Sequence, residues 1–332
     1  MYETILLLLT VVMLAVTLAP FIPSDHWLSR LWEFPRVQLV VITILLSIAS
    51  FYIASIPIKF TLISVNVVLS IYQAFWIYPY TQLCPVQVPK ASNADTEKKI
   101  KIMTSNVLMT NHSAHKLIDL VELHQPDVLV TLETDSWWEN ALSPIHNDYP
   151  YRVNHPLDNL YGMHLYSKYP LENVEQLELI EKDIPSIHCY LVLNNALKIK
   201  CHFLHPAPPS PTENTTSTPR DRELLLIAKR VSPETEPTIV TGDLNDVAWS
   251  PTTRSFRKIS KLKDPRIGRG MFNTFHAHYF FLRWPLDHIF HSEHFELSEL
   301  TRMPSIDSDH FPLLSELVYI DKVIKREPDD SN

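Results

Sequence analysis

Six short segments of this 332-residue chain set carboxylates, amides or imidazoles at the ends of apolar runs. They are Asn106 in TSNV, Glu133 in VTLE, His205 in CHFLHP, Asp243 and Asn245 in TGDLN, Asp287 in PLDHIF, and Asp309 with His310 in DSDH. Such a set suits attack of water on a phosphate. That reaction needs a divalent cation to neutralise the ester oxygens, a base to activate water, and donors for developing charge. Magnesium takes oxygen ligands, usually one or two carboxylates with water and the substrate phosphate. Glu133 and Asp309 offer carboxylates and Asn106 an amide oxygen. His205 and His310 can move a proton near neutral pH, and Asp287 can orient one imidazole. Each segment alone is ordinary, since a DxN commonly forms an Asx-turn and the chain has 16 histidines. His276 and His278 form an HxH pair, but no third ligand stands at a zinc spacing.

These residues need strands to carry them. KIKIMTSNV, from Lys99, alternates like a half-buried strand, and DVLVTLE reads as a buried one. Between them, Leu117, Ile118, Leu120 and Val121 have helical spacing, with Ser113 as the expected N-cap and Pro126 as the stop. Further strands are expected at Met163–Ser167, Ile187–Leu193 and Leu197–His205, the last two flanking an Asn194-Asn195 hairpin. A helix over Arg220–Val231 leads into TIVTGD, and Leu286–His291 and Phe311–Leu317 are again strand-like. The pattern predicts an α/β sandwich of mixed sheets. Pro206–Pro219 has five prolines in fourteen residues and reads as an extended loop, taken on its own as a passive surface excursion.

Composition narrows the chemistry. With 4 Gly there is neither GxGxxG nor GxxxxGK[ST], so a glycine-rich phosphate cradle is excluded. Three cysteines without a CxxC exclude a Cys-rich zinc module and a disulfide scaffold. A net charge of −8 offers no long basic surface for nucleic acid.

The first 80 residues belong in lipid. Thr4–Ser24, Val37–Ile58 and Phe60–Tyr80 carry no charge, and each reaches the ~20 residues that cross a bilayer core. Trp27, Trp32, Trp76, Tyr78 and Tyr80 sit near the run ends, where amphipathic rings favour the interface. No basic n-region or Ala-x-Ala site marks a signal peptide. Three transmembrane helices over 1–80 are expected, then a linker over 81–98, a catalytic domain over 99–320 and a polar tail over 321–332. An odd number of spans sets the N-terminus and the domain on opposite faces. Arg30, Arg36 and Lys90 on the domain's side against Lys59 on the other favour a cytoplasmic domain.

From Ile102 to Leu314 the segments resemble the endonuclease/exonuclease/phosphatase superfamily, the DNase I-like metal-dependent phosphoesterases. The matching phrases are SNVLMTN, PDVLVTLE, YGMHLYSKYPL, HPAPP, TGDLNDVAWSP, PLDHIF and SDHFPL. The resemblance implies a four-layer sandwich of two mixed β-sheets flanked by helices. It implies Glu133 as principal Mg²⁺ ligand (Mn²⁺ being the alternative), with Asn106 beside it and Asp309 as the other metal-side carboxylate. Asp243 and Asn245 would position water and phosphate, and His310, oriented by Asp287, would contact the scissile phosphate. His205 falls where DNase- and sphingomyelinase-like members place a second catalytic His. Leu108 stands where abasic-site nucleases carry an acidic residue, which argues against repair of abasic sites. The base is open between Asp243 and the histidines. The anchor resembles a bacterial membrane-bound branch thought to act on lipid-linked pyrophosphates outside the cytoplasm. That implies a multi-pass plasma (inner) membrane protein with an extracytoplasmic domain, against the charge count.

The sequence therefore predicts a membrane-anchored metal-dependent phosphoesterase. Its partners would be the lipid bilayer and a phosphate-containing substrate, lipid-linked rather than nucleic acid. The alternatives are a DNase I-like endonuclease and a non-enzymatic membrane module; against the latter, all eight expected polar positions are filled. Nothing in the sequence speaks to oligomeric state.

Overall fold

The computed structural model describes residues 1–91, 98–193, 196–231 and 235–320. The Asn194-Asn195 turn, the polar tail and part of the linker lie outside the described residues.

The N-terminal part is helical: α1 (Tyr2–Leu18), a short α2 (Trp27–Arg30), α3 (Arg36–Ser50) and α4 (Ile56–Ile77). Two helices, Tyr2–Phe21 and Ile56–Tyr80, are long and apolar enough to cross a membrane. Among the described residues a third crossing exists only if Trp27–Glu33 and Arg36–Ser50, bent by 69°, count as one. The break follows from Pro35, which cannot donate a backbone hydrogen bond. The turn between the second and third apolar runs lies at residues 51–55, not at Lys59, which sits in the first turn of α4. Polar side chains inside the runs face one another: Asn66 donates to Thr10 (2.9 Å), and Gln73 donates to Thr17 (3.0 Å) and accepts from Arg36 (2.7 Å). In an apolar surround such groups are satisfied by neighbouring helices, which explains their places in otherwise hydrophobic segments. Leu8, Val12, Leu45, Val68, Ile71 and Phe75 point outward.

The remainder holds β1 (Lys99–Asn106), α5 (Ala114–His124), β2 (Val128–Leu132), α6 (Ser136–Ala141), β3 (Tyr151–His155), β4 (Met163–Ser167), β5 (Leu171–Leu177), β6 (Ser186–Val192), β7 (Lys198–Leu204), α7 (Thr218–Arg230), β8 (Thr238–Asp243), α8 (Pro251–Ser260), β9 (Asp287–His291), β10 (Phe295–Arg302) and β11 (Leu313–Tyr319). One sheet runs β10-β11-β1-β2-β4-β3 and the other β5-β6-β7-β8-β9. Among the described strands, β1–β2 and β7–β8 pair in parallel and the other neighbours antiparallel, so both sheets are mixed. The sheets pack face to face through Ile102, Val130, Leu165, Phe203, Ile239 and Ile289. Leu117 and Val121 of α5 and Trp138 of α6 cover the outer face of the first sheet. Leu224 and Ile227 of α7 and Phe256 of α8 cover the second. This is the expected sandwich of two mixed sheets flanked by helices.

Local expectations needed correction. Ser113 precedes α5 but makes no capping bond; its hydroxyl donates to Asp307 Oδ2 (2.7 Å). The last strand begins at Leu313, since Phe311 and Pro312 belong to the loop that carries Asp309. Strands β3, β5 and β10 and helices α6 and α8 are not foreseen by the sequence; β5, LENVEQL, is almost wholly exposed and lacks an apolar alternation. Cys189 and Cys201 are direct cross-strand partners, buried and free.

Candidate active site

The parallel pairs bring chain ends with like direction to one edge of the sandwich. Asn106 ends β1 beside Leu132, so Glu133 follows at its side. Leu204 ends β7 opposite Gly242, and Asp243 ends β8 opposite Asp287 at the start of β9. Asp309 and His310 lie in the loop entering β11, which neighbours β1. Gly242 is required here: a Cβ on it would lie 1.9 Å from Leu204 O, and its φ is +145°. Glu133 and Asn245 are held at φ 60° and 50°, a region that non-glycine residues enter at a cost and that is common at functional sites.

All six segments converge. Asn106 Nδ2 donates to Glu133 Oε1 (2.7 Å) and to Asp243 Oδ2 (3.2 Å), while its Oδ1 accepts from Leu108 N (3.1 Å). The amide thus turns its nitrogen toward the carboxylates; holding a cation through oxygen requires the flipped amide. His310 Nδ1 lies 2.7 Å from Asp287 Oδ2, and its Nε2 lies 3.4 Å from Asp243 Oδ2. His205 Nε2 is 3.9 Å from the same Asp243 oxygen. Asn245 donates from its backbone N to Asp243 Oδ1 (2.9 Å) and from Nδ2 to Pro206 O (3.0 Å).

Burial and charge set the protonation. Desolvation raises Glu133 to about 7, against the hydrogen bond from Asn106 and the charge of His310. Desolvation would lower His310, but the Asp287 and Asp243 carboxylates outweigh it and lift the imidazole to about 10. His205 is pushed down to about 4 by burial. One imidazole is therefore held charged and its neighbour neutral. Asp243, Asp287 and His310 also present ligand atoms within 4.8 Å of one another, the spacing of a metal-binding group. Both ring nitrogens already face carboxylates: Nδ1 hydrogen-bonds Asp287 and Nε2 is ion-paired with Asp243, an arrangement we call the relay.

Sequence reading missed the supports. Ser308 Oγ donates to Asn106 O (2.8 Å) and accepts from His310 N (3.0 Å), linking the β1 end to the histidine loop. Arg220 Nη1 donates to Asn245 O (2.7 Å) and pairs with buried Asp246 (3.3 Å). The Ser of the SDH phrase was a visible signal; nothing local to Arg220 announced its partner. His276 lies near enough to feel the charges of Asp309 and His310, and its ring centroid is 5.3 Å from that of His278.

Glu133, His205, Asp243, Asn245, Asp309 and His310 all face a cavity of about 390 Å³. Pro208, Pro209 and Pro211 line it, so the proline-rich segment is a wall of the site and not a passive excursion. Trp27, Leu31 and Phe34 of the N-terminal helical region line it too.

The sequence model of the Endonuclease/Exonuclease/phosphatase family matches residues 103–310. The chain belongs to this family. Among solved structures, D. rerio TDP2 complexed with single strand DNA product is similar at 14% identity and TM-score 0.54, over 66% of this chain and 98% of that one. The endonuclease/exonuclease/phosphatase from Bacteroides vulgatus is similar at 15% identity and TM-score 0.54, over 67% and 99%. An endonuclease/exonuclease/phosphatase family protein from Bacteroides thetaiotaomicron is similar at 19% identity and TM-score 0.50, over 67% and 98%. Comparison with curated proteins found no match. At these identities the structures speak to the fold. The membership makes the chain one of a family of hydrolases of phosphoester bonds that typically use a divalent metal, and the apolar N-terminal helices point to membrane association.

Proposed function

We propose that this protein is a membrane-anchored, Mg²⁺-dependent phosphoesterase that hydrolyses a phosphate ester or pyrophosphate carried by a lipid. One observation carries the lipid reading: the cavity above the carboxylate–imidazole cluster takes part of its wall from the apolar N-terminal region. A substrate whose phosphate reaches His310 therefore has its other end beside the membrane helices.

Glu133 and Asp309, with Asn106 after an amide flip, would hold Mg²⁺, or Mn²⁺ in its place; a buried carboxylate raised to about 7 fits a site completed by a hard cation. When bound, the cation supplies neutralisation of the phosphate oxygens. The chain's own residues do the rest. His310, charged between Asp287 and Asp243, donates from Nε2 to a phosphate oxygen as charge develops there. Asp287 accepts from Nδ1, which fixes the ring plane and stabilises its charge. With His310 held charged as the donor, we assign Asp243 as the group that accepts the proton of the attacking water, with Asn245 positioning that water. His205, 3.9 Å from Asp243 on its other side, is kept neutral by burial. The catalytic domain is extracytoplasmic in this reading, in the plasma (inner) membrane, with three crossings.

The test uses full-length protein in detergent. Phosphate release from farnesyl diphosphate is measured beside nicking of supercoiled plasmid, each with Mg²⁺ and with EDTA. Mg²⁺-dependent release without nicking is expected. Nicking without release overturns the lipid reading in favour of an endonuclease, and inertness in both assays overturns the enzyme.

A further inference from the structure

The family match begins at residue 103, yet the cavity draws on residues far ahead of it. Trp27, Leu31 and Phe34, in the segment between the first apolar helix and α3, face the same space as Asp243 and His310. The segment is fixed in that position. Trp27 N donates to Thr215 O (2.9 Å), Ser217 N donates to Asp25 O (2.7 Å), and His26 and Thr216 form an antiparallel bridge. Arg30 binds Ser217 (3.3 Å) and Asp221 (3.2 Å), and Trp249 Nε1 donates to Glu33 O (2.8 Å). Arg30 lines the cavity as well; each of its nitrogens makes one docking contact, including Glu33 at 2.8 Å, so its charge is paired with Glu33 and Asp221.

The space therefore has two ends of different chemistry. One end holds carboxylates and imidazoles. The other is predominantly apolar beside the paired Arg30, with Leu31 43% exposed and Phe34 edge-on to Trp284 at 5.8 Å. Just before Trp284 the chain turns through Tyr279, Phe280, Phe281 and Leu282, all exposed. That loop is tied to the membrane helices, since Gln38 of α3 donates to Phe281 O (2.7 Å). An apolar wall that continues into the membrane helices and an exposed aromatic loop fits hydrocarbon arriving from the bilayer.

We propose that residues 27–34 form a chain-binding subsite, in which Trp27, Leu31 and Phe34 hold the hydrocarbon next to the phosphate of a membrane lipid. The anchor is then part of the specificity of the enzyme and not only its tether. The inference rests on the lipid phosphoesterase reading above.

Two water-soluble esters with the same headgroup, dimethylallyl and geranyl diphosphate, separate chain recognition from partitioning into lipid. They are compared by kcat/KM on the full-length protein in detergent with Mg²⁺. Each buried methylene is worth up to about fourfold, so wild type should favour the longer ester by tenfold or more. Leu31→Ala and Trp27→Ala should each cut that ratio by roughly fivefold, through KM for the longer ester. Leu31→Trp, which fills the groove, should do the same by excluding the chain. A ratio, unlike a rate, is insensitive to the fraction of folded enzyme. Wild type treating both esters alike, or all three variants keeping the wild-type ratio, overturns the subsite and leaves the phosphoesterase standing. No EDTA-sensitive hydrolysis of either ester by wild type overturns both.

Discussion

Thr104 and Thr241 hydrogen-bond to each other across the two sheets at 2.8 Å, each two residues before a side chain of the site, Asn106 and Asp243. Residues i and i+2 share a face of a strand, so this bond lies directly behind the Asn106–Asp243 contact at 3.2 Å. The sandwich is pinned where its two sheets jointly present the chemistry. Thr241 also donates to His288 O (2.7 Å), which leaves Thr104 as donor to Thr241.

Thr241→Val removes that acceptor and leaves buried polar groups unpaired. A loss of about 1–3 kcal/mol is expected, read as a lower thermal midpoint in detergent, together with a fall in kcat as Asp243 loses its backing. Wild-type stability and turnover in the variant would refute the pinning role.

Glu133→Gln keeps the shape and removes the charge of the proposed metal ligand. Mg²⁺-dependent hydrolysis should be abolished with the fold intact, because a metal-held charge is worth several kcal/mol in the transition state. Retention of more than half the wild-type rate at saturating Mg²⁺ would sink the assignment.

His310→Ala and Asp287→Asn should each impair turnover, with a double mutant far better than the product of the two losses. Groups acting as a unit are non-additive, and their 2.7 Å contact makes them one. Full multiplicativity in kcat would show that Asp287 does not act through His310.

His188 and His202 face each other across β6 and β7, Nδ1 to Nδ1 at 2.7 Å. Burial pushes His188 down to about 4, and His202, also beside His188, to about 3, from 6.5. Between pH 6.5 and 4 the unfolded chain therefore binds protons that the folded one refuses. The stabilisation is full above pH 6.5 and is lost as pH falls toward the folded values. Thermal stability should drop from pH 7 to pH 5, by roughly 1–2 kcal/mol for each buried imidazole. Replacing both residues by Gln should flatten that slope; an unchanged slope would assign acid lability elsewhere.

Three crossings put the turn at residues 51–55 and the start of the catalytic domain on opposite faces. Fusions after Tyr52, which is 81% exposed, and after Pro89 should give opposite reporter signals, with alkaline phosphatase active only after Pro89. Equal signals would refute three crossings. A cytoplasmic reporter active only after Pro89 would reverse the orientation and favour the count of lysines and arginines.

The eight polar positions and the order of the strands that carry them were legible in the sequence. A strand end followed by Asn, Glu, Asp or His is a local pattern, and a run of apolar residues near twenty long announces lipid whatever surrounds it. Met163–Ser167 is a strand over the expected residues for the same reason. What a residue touches across the fold is not local. Only the packing of two sheets placed Thr104 on Thr241, and only the environment of two imidazoles, one between carboxylates and one buried nearly alone, made His310 a cation and left His205 neutral. The same holds for Trp27, whose ring suits a membrane interface and a pocket wall equally well. Hydrophobicity has no direction, so its partner was decided by the contacts of Asp25, Trp27 and Arg30 with residues 215–221, almost two hundred positions away in the chain.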